Sequence, residues 1–117
     1  MSPSVKNVYT LSAGYFEAIK VLPGGKATLV MRPGKYGNPF RIGMDGDRTD
    51  VLMKHERWLR TQAALLRSIQ DELSGADLLC CCAPQPCHAD LLLRLANGTK
   101  EQLIEWAGYD PWDEKFI

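Results

Sequence analysis

The residue types best suited to chemistry are concentrated in one short segment. Cys80, Cys81 and Cys82 are consecutive, and Cys87 and His88 follow after an Ala-Pro-Gln-Pro loop. A thiol in the first turn of a helix is expected to have a lowered pKa, because the helix N-terminus carries a partial positive charge, and the thiolate is the nucleophilic form. His88 could act as a general acid or base, or could bind a ligand phosphate. Cys87 and His88 are therefore the candidate catalytic residues.

Two other interpretations of the cysteines stay open. Free cysteines are usually small apolar core residues, and strand alternation would point Cys81 away from Cys80 and Cys82. Cys80, Cys82, Cys87 and His88 also form a Cys₃His set, a known combination of zinc ligands. Against a zinc site, the spacing has no CxxC element, and the adjacent Cys87 and His88 would have to converge on one ion.

A Gly-rich, basic segment at residues 32–48 is the second candidate region, with four glycines and two prolines in its seventeen residues. Glycines let the backbone approach a ligand closely, and guanidinium and free N–H groups together bind phosphate or carboxylate. The segment matches neither a Walker A loop nor GxGxxG. The predicted ligand-binding residues are Arg32, Lys35, Tyr36, Asn38, Arg41 and Arg48. The alternative is a pair of turns, one burying Phe40 and one leaving Arg48 solvated.

Three further polar or aromatic residues follow this segment on a predicted helix. His55 and Trp58 could line the same cleft, although such residues are more often part of a core or its boundary. Glu56 is expected to be solvated, as charged residues on helices usually are.

The elements that must position these residues alternate between strand and helix. Residues 8–11 and 27–31 are short β-prone runs with a Pro-Gly-Gly turn predicted at 22–25, although residues 13–21 could instead hold a helical turn. The run 77–82 is almost entirely apolar and of strand length. Such a run is typical of a strand that is buried on both faces of a parallel sheet.

Helical periodicity follows the Gly-rich segment. Thr49 is the expected N-cap, and Asp50 suits the positive end of the helix. The apolar repeat predicts one long amphipathic helix, or two with a break near Thr61, ended by Gly75. Residues 88–96 form the next predicted helix, which follows the cysteine strand through a tight loop.

A last helix is predicted to begin at a capping box at Thr99 and to end at Gly108. Residues 109–117 are aromatic and acidic, and we expect them to pack through Trp112 or to dock a partner. This order of elements predicts a single α/β domain over residues 1–108, with a small Rossmann-like sheet and helices in two or three layers, followed by the tail.

Composition limits the partners of the chain. With 117 residues it has the size of one domain, and its 14 basic and 14 acidic residues give no net field that would attract nucleic acid or an anionic membrane. No apolar stretch approaches the roughly 20 residues of a membrane span, and the first residues lack an export signal. Four cysteines within eight positions do not suit a disulfide framework. We therefore expect a cytoplasmic protein with a local anion site.

Several of these motifs together resemble a known family. They are the Gly-rich segment with its GNPF at residues 37–40, the HERWL of residues 55–59, and the CCCAPQPCH of residues 80–88. The chain resembles the domain of unknown function 4326, a group of small proteins common in bacteriophages and some bacteria, from about Ala27 to Asn97. That family usually has Trp at the position of Cys81, which favours a packing role there. It usually has Gly at the position of Ala89, so that the side chain of Ala89 bears on how closely a ligand can approach the backbone at the start of the helix. The resemblance implies a phage or prophage origin and a compact α/β fold, and it supplies no activity.

The leading hypothesis is that the protein binds or processes a nucleotide, a nucleoside or a phosphosugar. The arginines of the Gly-rich segment would hold the anion, and Cys87 with His88 would face the reacting group. Whether it is an enzyme, and whether it uses a cofactor, stay open. The alternatives are a non-enzymatic phage protein that binds a host factor or forms a homodimer, and a small zinc-stabilised module. The leading hypothesis requires the fold to bring the two motifs together, with the Cys87 sulfur not sealed among leucines.

Overall fold

A three-stranded parallel sheet forms the centre of the computed structural model, which describes residues 3–12, 14–21 and 26–117. Its central strand is β3 (Asp77–Cys80), flanked by β1 (Val5–Asn7) and β2 (Ala27–Leu29) in the order β1-β3-β2. Leu78 aligns with Val5 on one side and with Thr28 on the other. All four residues of β3 are buried, as expected for a strand covered on both faces. The predicted Rossmann-like α/β fold is confirmed.

Five α-helices and a short 3-10 helix complete the part of the chain that the structure describes. They are α1 (Tyr15–Val21), α2 (Arg48–Arg60), α3 (Ala63–Leu73), α4 (His88–Asn97), α5 (Lys100–Ala107) and the 3-10 helix Glu114–Phe116. Helices α3 and α4 pack on each other, and α4 also packs on β3 and β1. Their apolar faces enclose a core that includes Leu66, Ile69, Leu73, Leu78 and Leu92. Burial of these side chains is the main force that holds the helices against the sheet.

The start and end of α2 differ in part from the prediction. Asp47, not Thr49, is the N-cap, because the Asp47 carboxylate accepts the backbone N–H of Asp50 at 2.9 Å while the Asp50 carboxylate accepts that of Asp47. The helix ends at Arg60 and is followed by the cap residue Thr61, whose hydroxyl donates to the Trp58 carbonyl. The alternative with two helices is therefore the correct one. Gly75 follows α3 with a φ of 74°, as predicted for a residue that ends a helix.

The first strand lies earlier than the sequence indicated, and the third begins where it was predicted but ends sooner. Strand β1 occupies Val5–Asn7 and not residues 8–11, and the segment from Tyr15 onward is helical. The turn predicted at 22–25 lies outside the described residues. Strand β3 stops at Cys80, so that Cys81 and Cys82 belong to the following loop and do not alternate as strand residues. The loop is held in place by Asn7, whose side-chain amide donates to the Ala83 carbonyl at 2.9 Å.

The C-terminal tail packs back on the domain. Pro111 is buried, and Arg67 donates to the carbonyl of Pro111 at 2.8 Å and to that of Phe116 at 3.1 Å. Trp112 is partly buried against the core and lies under the ammonium of Lys100. Within the described ranges, no helix is long and apolar enough to cross a membrane.

Candidate functional site

The Gly-rich segment and the cysteine loop line one cleft of about 550 Å³. It lies beyond the carboxyl ends of β2 and β3, where ligands bind in open α/β sheets. A direct contact joins the two motifs, because the Arg48 guanidinium donates to the Pro86 carbonyl at 2.9 Å. Parallel strands β2 and β3 make this meeting possible, since the segments that follow them leave the sheet at the same edge.

Cys87 and His88 form a hydrogen-bonded pair in the wall of this cleft. Cys87 Sγ lies 3.4 Å from His88 Nδ1, and His88 Nε2 lies 2.7 Å from the carbonyl oxygen of Val30. A carbonyl oxygen only accepts, so that Nε2 carries the hydrogen; in the neutral ring Nδ1 is then the acceptor and the Cys87 thiol is the donor. A thiol bonded to an imidazole whose other nitrogen is fixed by a third group is the arrangement of nucleophile and base.

The electrostatics of the pair differ from the sequence-based expectation. Cys87 is the N-cap of α4 and its backbone N–H is bound by the Asp90 carboxylate at 3.0 Å, but its side chain is only 5% exposed. Burial raises the pKa of the Cys87 thiol, and this effect exceeds the lowering by the backbone N–H of Ala89. Burial also lowers the pKa of His88. The predicted lowering of the thiol pKa by the helix N-terminus is therefore wrong, and the resting pair is neutral.

All three predicted ligand-binding arginines line the cleft, but their guanidinium groups differ in the hydrogen bonds that they already make. Arg32 donates to the carbonyls of Asn38 and Phe40 and so stabilises the loop. Arg48 keeps part of its guanidinium available beside its single bond to Pro86. Arg41 is exposed, and its guanidinium has no partner among the described residues. Arg41 and Arg48 are thus the cations best placed for an incoming anion.

The remaining three predicted ligand-binding residues have structural contacts. Lys35 forms an ion pair with Glu72 of α3 at 2.6 Å and does not line the cleft. The buried Tyr36 hydroxyl lies 2.7 Å from the Ser68 hydroxyl and donates to Glu72 at 2.8 Å, also away from the cleft. Asn38 lines the cleft, but its amide donates to the Val51 carbonyl and its side-chain oxygen accepts the N–H of Phe40.

The structure lends no support to the zinc site considered from the sequence. No three His, Cys, Asp or Glu residues within residues 3–12, 14–21 and 26–117 are grouped so that they could hold a metal ion. In the Cys80, Cys82, Cys87 and His88 set, both nitrogens of His88 are already engaged. Cys81, interpreted from the sequence as a buried packing residue, is exposed, because the strand ends before it.

The family model described as Domain of unknown function (DUF4326) matches residues 20–98 of this chain. The chain belongs to this family. The match includes both motifs that line the cleft and confirms the resemblance found in the sequence. Comparison with curated proteins and with solved structures finds no match.

Sequence reasoning missed the apolar part of the site in this DUF4326 protein. Ile42 and Met44 line the cleft although they are 54% and 82% exposed, and Val51 and Leu52 line it from α2. The sequence did contain a signal for this apolar surface. Apolar residues stand on both sides of Gly43 in a polar loop, where there is no obvious core for them to fill.

His55 lines a second, smaller cleft of about 230 Å³ instead of the main one. Its ring is edge-on to that of His88, with 5.2 Å between the ring centres. The two clefts share four lining residues, Leu52, Pro86, Cys87 and His88. Glu56, expected to be solvated, is half-buried and lines this second cleft.

Proposed function

We propose that the main cleft binds a nucleotide, a nucleoside or a phosphosugar, with the anionic group at Arg41 and Arg48 and the reacting group at Cys87 and His88. The observation that carries the proposal is that one cleft at the carboxyl edge of a parallel sheet is lined by a Cys–His pair and by two available guanidinium groups. That of Arg41 has no partner among the described residues, and that of Arg48 bonds only through one N–H to the Pro86 carbonyl. A volume of about 550 Å³ lies within the usual range for small-molecule sites.

The charge of the lining supports an anionic ligand. Its described residues include Arg32, Arg41 and Arg48, and none of those described is acidic. Although the chain has no net charge, the charged side chains that line this cleft are therefore all cationic. An exposed guanidinium without a partner can form two parallel hydrogen bonds with a phosphate.

The apolar part of the lining supports a ligand with a flat or partly apolar body. Met31, Phe40, Ile42 and Met44 supply such a surface beside the arginines. A nucleobase or a sugar face can cover these side chains while its phosphate remains at the arginines. Apolar walls with a few polar groups are typical of small-molecule sites.

The neutral Cys–His pair is suited to a reaction that is triggered by ligand binding. Attack by the sulfur requires its proton to move from Cys87 Sγ to His88 Nδ1, which leaves a thiolate and an imidazolium. The Val30 carbonyl stabilises that imidazolium, because His88 Nε2–H continues to donate to it. An anionic group that lies closer to His88 than to Cys87 would stabilise the imidazolium more than it destabilises the thiolate.

Calorimetric titration with nucleoside monophosphates, the matching nucleosides and ribose 5-phosphate tests the proposal. Arg41→Ala is expected to weaken binding of the phosphorylated ligands by about tenfold or more, because a hydrogen bond to a charged group is lost. Lys35→Ala is the matched control, since Lys35 is also a cation of the Gly-rich segment but lies outside the cleft. The proposal is wrong if none of these ligands binds, or if both variants bind phosphorylated ligands like the unmodified protein.

A further inference from the structure

The second cleft contains a buried imidazole that has no internal partner. His55 is only 2% exposed, and none of the described residues forms a hydrogen bond with either of its ring nitrogens. Fully enclosed side-chain nitrogens and oxygens of the described residues all have partners. The His55 nitrogens are therefore not fully enclosed, and the cleft that this residue lines is the second one.

The His55 ring is neutral at neutral pH. Burial and the nearby His88 lower its pKa to about 4. A neutral imidazole has one N–H donor and one nitrogen acceptor, which matches a hydroxyl group, itself both donor and acceptor. A ligand hydroxyl can therefore satisfy both ring nitrogens at once or either of them alone.

The lining of the second cleft carries more negative than positive charge, whereas the charged residues that line the main cleft are cationic. Glu56 and Asp90 line it together with a single cation, Arg94. Asp90 uses one carboxylate oxygen to bind the N–H of Cys87, and Glu56 is 4.0 Å from Arg60 on the next turn of α2. Two carboxylates and one guanidinium disfavour an anion. Carboxylate acceptors, a guanidinium donor and a neutral imidazole together suit a group with several hydroxyls.

We propose that the second cleft is a subsite for a hydroxyl-bearing group of the sugar class, held by His55 with Glu56 and Arg94. This inference rests on the proposed function for its relation to the main cleft. The two clefts meet at Cys87 and His88, so that an anionic group at the arginines and a sugar at His55 would lie on either side of the reactive pair. The sugar belongs either to the phosphorylated ligand itself or to a second molecule.

Ring signals of the histidines give a direct test in the intact protein, because the chain has only His55 and His88. Their ring carbon–proton resonances can be followed by NMR during titration with D-ribose, inorganic phosphate and ribose 5-phosphate. We expect ribose and ribose 5-phosphate to shift the His55 signals saturably, and phosphate alone to leave them in place. His55 signals that do not move with ribose or with ribose 5-phosphate overturn the proposal.

The same titration distinguishes the two sources of the sugar. If one ligand spans both clefts, ribose 5-phosphate binds more tightly than either ribose or phosphate. If the sugar is a second molecule, ribose shifts the His55 signals equally with and without saturating phosphate, and ribose 5-phosphate has no advantage. Either result supports the hydroxyl subsite. Failure of the proposed function is separate, since it is seen as a lack of Arg41-dependent phosphate binding while ribose still reports on His55.

His55→Phe removes the ring nitrogens and keeps an aromatic ring against Trp58 and His88. We expect it to weaken ribose binding about tenfold, the effect of one or two lost hydrogen bonds, and to leave phosphate binding unchanged. Unchanged ribose binding by a folded variant contradicts the proposal. If this variant does not fold, Glu56→Gln at the rim is expected to weaken ribose binding in the same way, and an unchanged affinity there has the same meaning.

Discussion

The Cys87 thiol donates a hydrogen bond to His88 Nδ1 over 3.4 Å, and the opposite nitrogen of the same ring donates to the Val30 carbonyl over 2.7 Å. These two bonds connect the loop after β3 to the end of β2. The two bonds fix the tautomer of His88. Burial of both side chains keeps the thiol protonated, because it disfavours a charged thiolate and a charged imidazolium. The reactivity of the pair is therefore set by its burial, and the position at a helix N-terminus is secondary.

Alkylation of the cysteines by iodoacetamide is expected to proceed in an order set by exposure and pKa. The exposed Cys81 should react faster than the buried Cys87. Desolvation raises the pKa of both thiols, but only Cys87 is also shielded from the reagent, and its thiolate, the reacting form, is scarce at neutral pH. The Cys87 rate should rise only in strongly alkaline solution. Peptide mass spectrometry over a pH series measures both rates. Faster modification of Cys87 than of Cys81 at neutral pH would contradict the burial argument.

Stability is expected to fall between pH 7 and pH 5 because of His55. Its folded-state pKa is lowered to about 4, whereas the unfolded chain has a value near 6.5, so that the unfolded state binds more protons in this window. The stabilisation is fully present above pH 6.5 and is lost as the pH falls towards 4, by up to about 3 kcal/mol. His88, whose pKa is also lowered, acts in the same direction.

Urea denaturation at pH 7, 6 and 5 measures this dependence. In His55→Phe the slope of the unfolding free energy against pH should be smaller, since one of the two buried imidazoles no longer titrates. A slope equal to that of the unmodified protein would contradict the prediction, because it would show that the pKa of His55 is not lowered by folding.

A side chain at Gly37 is expected to disturb the loop that carries the arginines. A Cβ there would lie 2.5 Å from the backbone nitrogen and 2.8 Å from the Cα of Arg32, and backbone atoms cannot move aside easily. Gly37→Ala should destabilise the protein by about 1–3 kcal/mol. Gly14→Ala is the control, because a Cβ at Gly14 meets nothing within 4 Å. Thermal denaturation compares the two, and equal melting temperatures would speak against the close approach.

Tyr36 is expected to contribute to stability and not to ligand binding. Its hydroxyl contacts Ser68 and Glu72 on α3, so Tyr36→Phe should cost about 1 kcal/mol of unfolding free energy. Affinity for nucleotides should stay within a factor of about two, since Tyr36 does not line the cleft. Denaturation and calorimetry on the same preparation test both parts. A large loss of affinity at unchanged stability would contradict this prediction and would show that Tyr36 binds the ligand.

Local patterns allowed several elements to be predicted closely. The helix that begins at His88, the capping box at Thr99 and the stop at Gly108 were all found as expected. Each depends on residues within one or two turns, whose propensities and hydrogen bonds are local. The end of β3 was placed two residues late, because Cys81 and Cys82 are apolar enough to continue a strand. The bond from Asn7 that holds the following loop cannot be read from that segment alone.

Which side chains line the cleft was harder to predict than where the cleft lies. Lys35 and Tyr36 have the right chemistry for a ligand, yet they turn to Glu72, which lies 37 and 36 positions later in the chain. The sequence indicated that His55 could line a cleft, but neither its place in the second cleft nor its ring contact with His88 can be read from the helix that carries it.

The sequence by itself determined the parallel α/β class, the helix limits near His88 and Thr99, and the two motifs that form the cleft, because periodicity and capping are local properties. Only the tertiary structure decided which side chains of those motifs face the cleft and which protonation state Cys87 has. Both depend on neighbours from distant segments and on exclusion of water. Burial raises the energy of a charged thiolate by more than a helix N-terminus lowers it, and burial is a property of the whole fold.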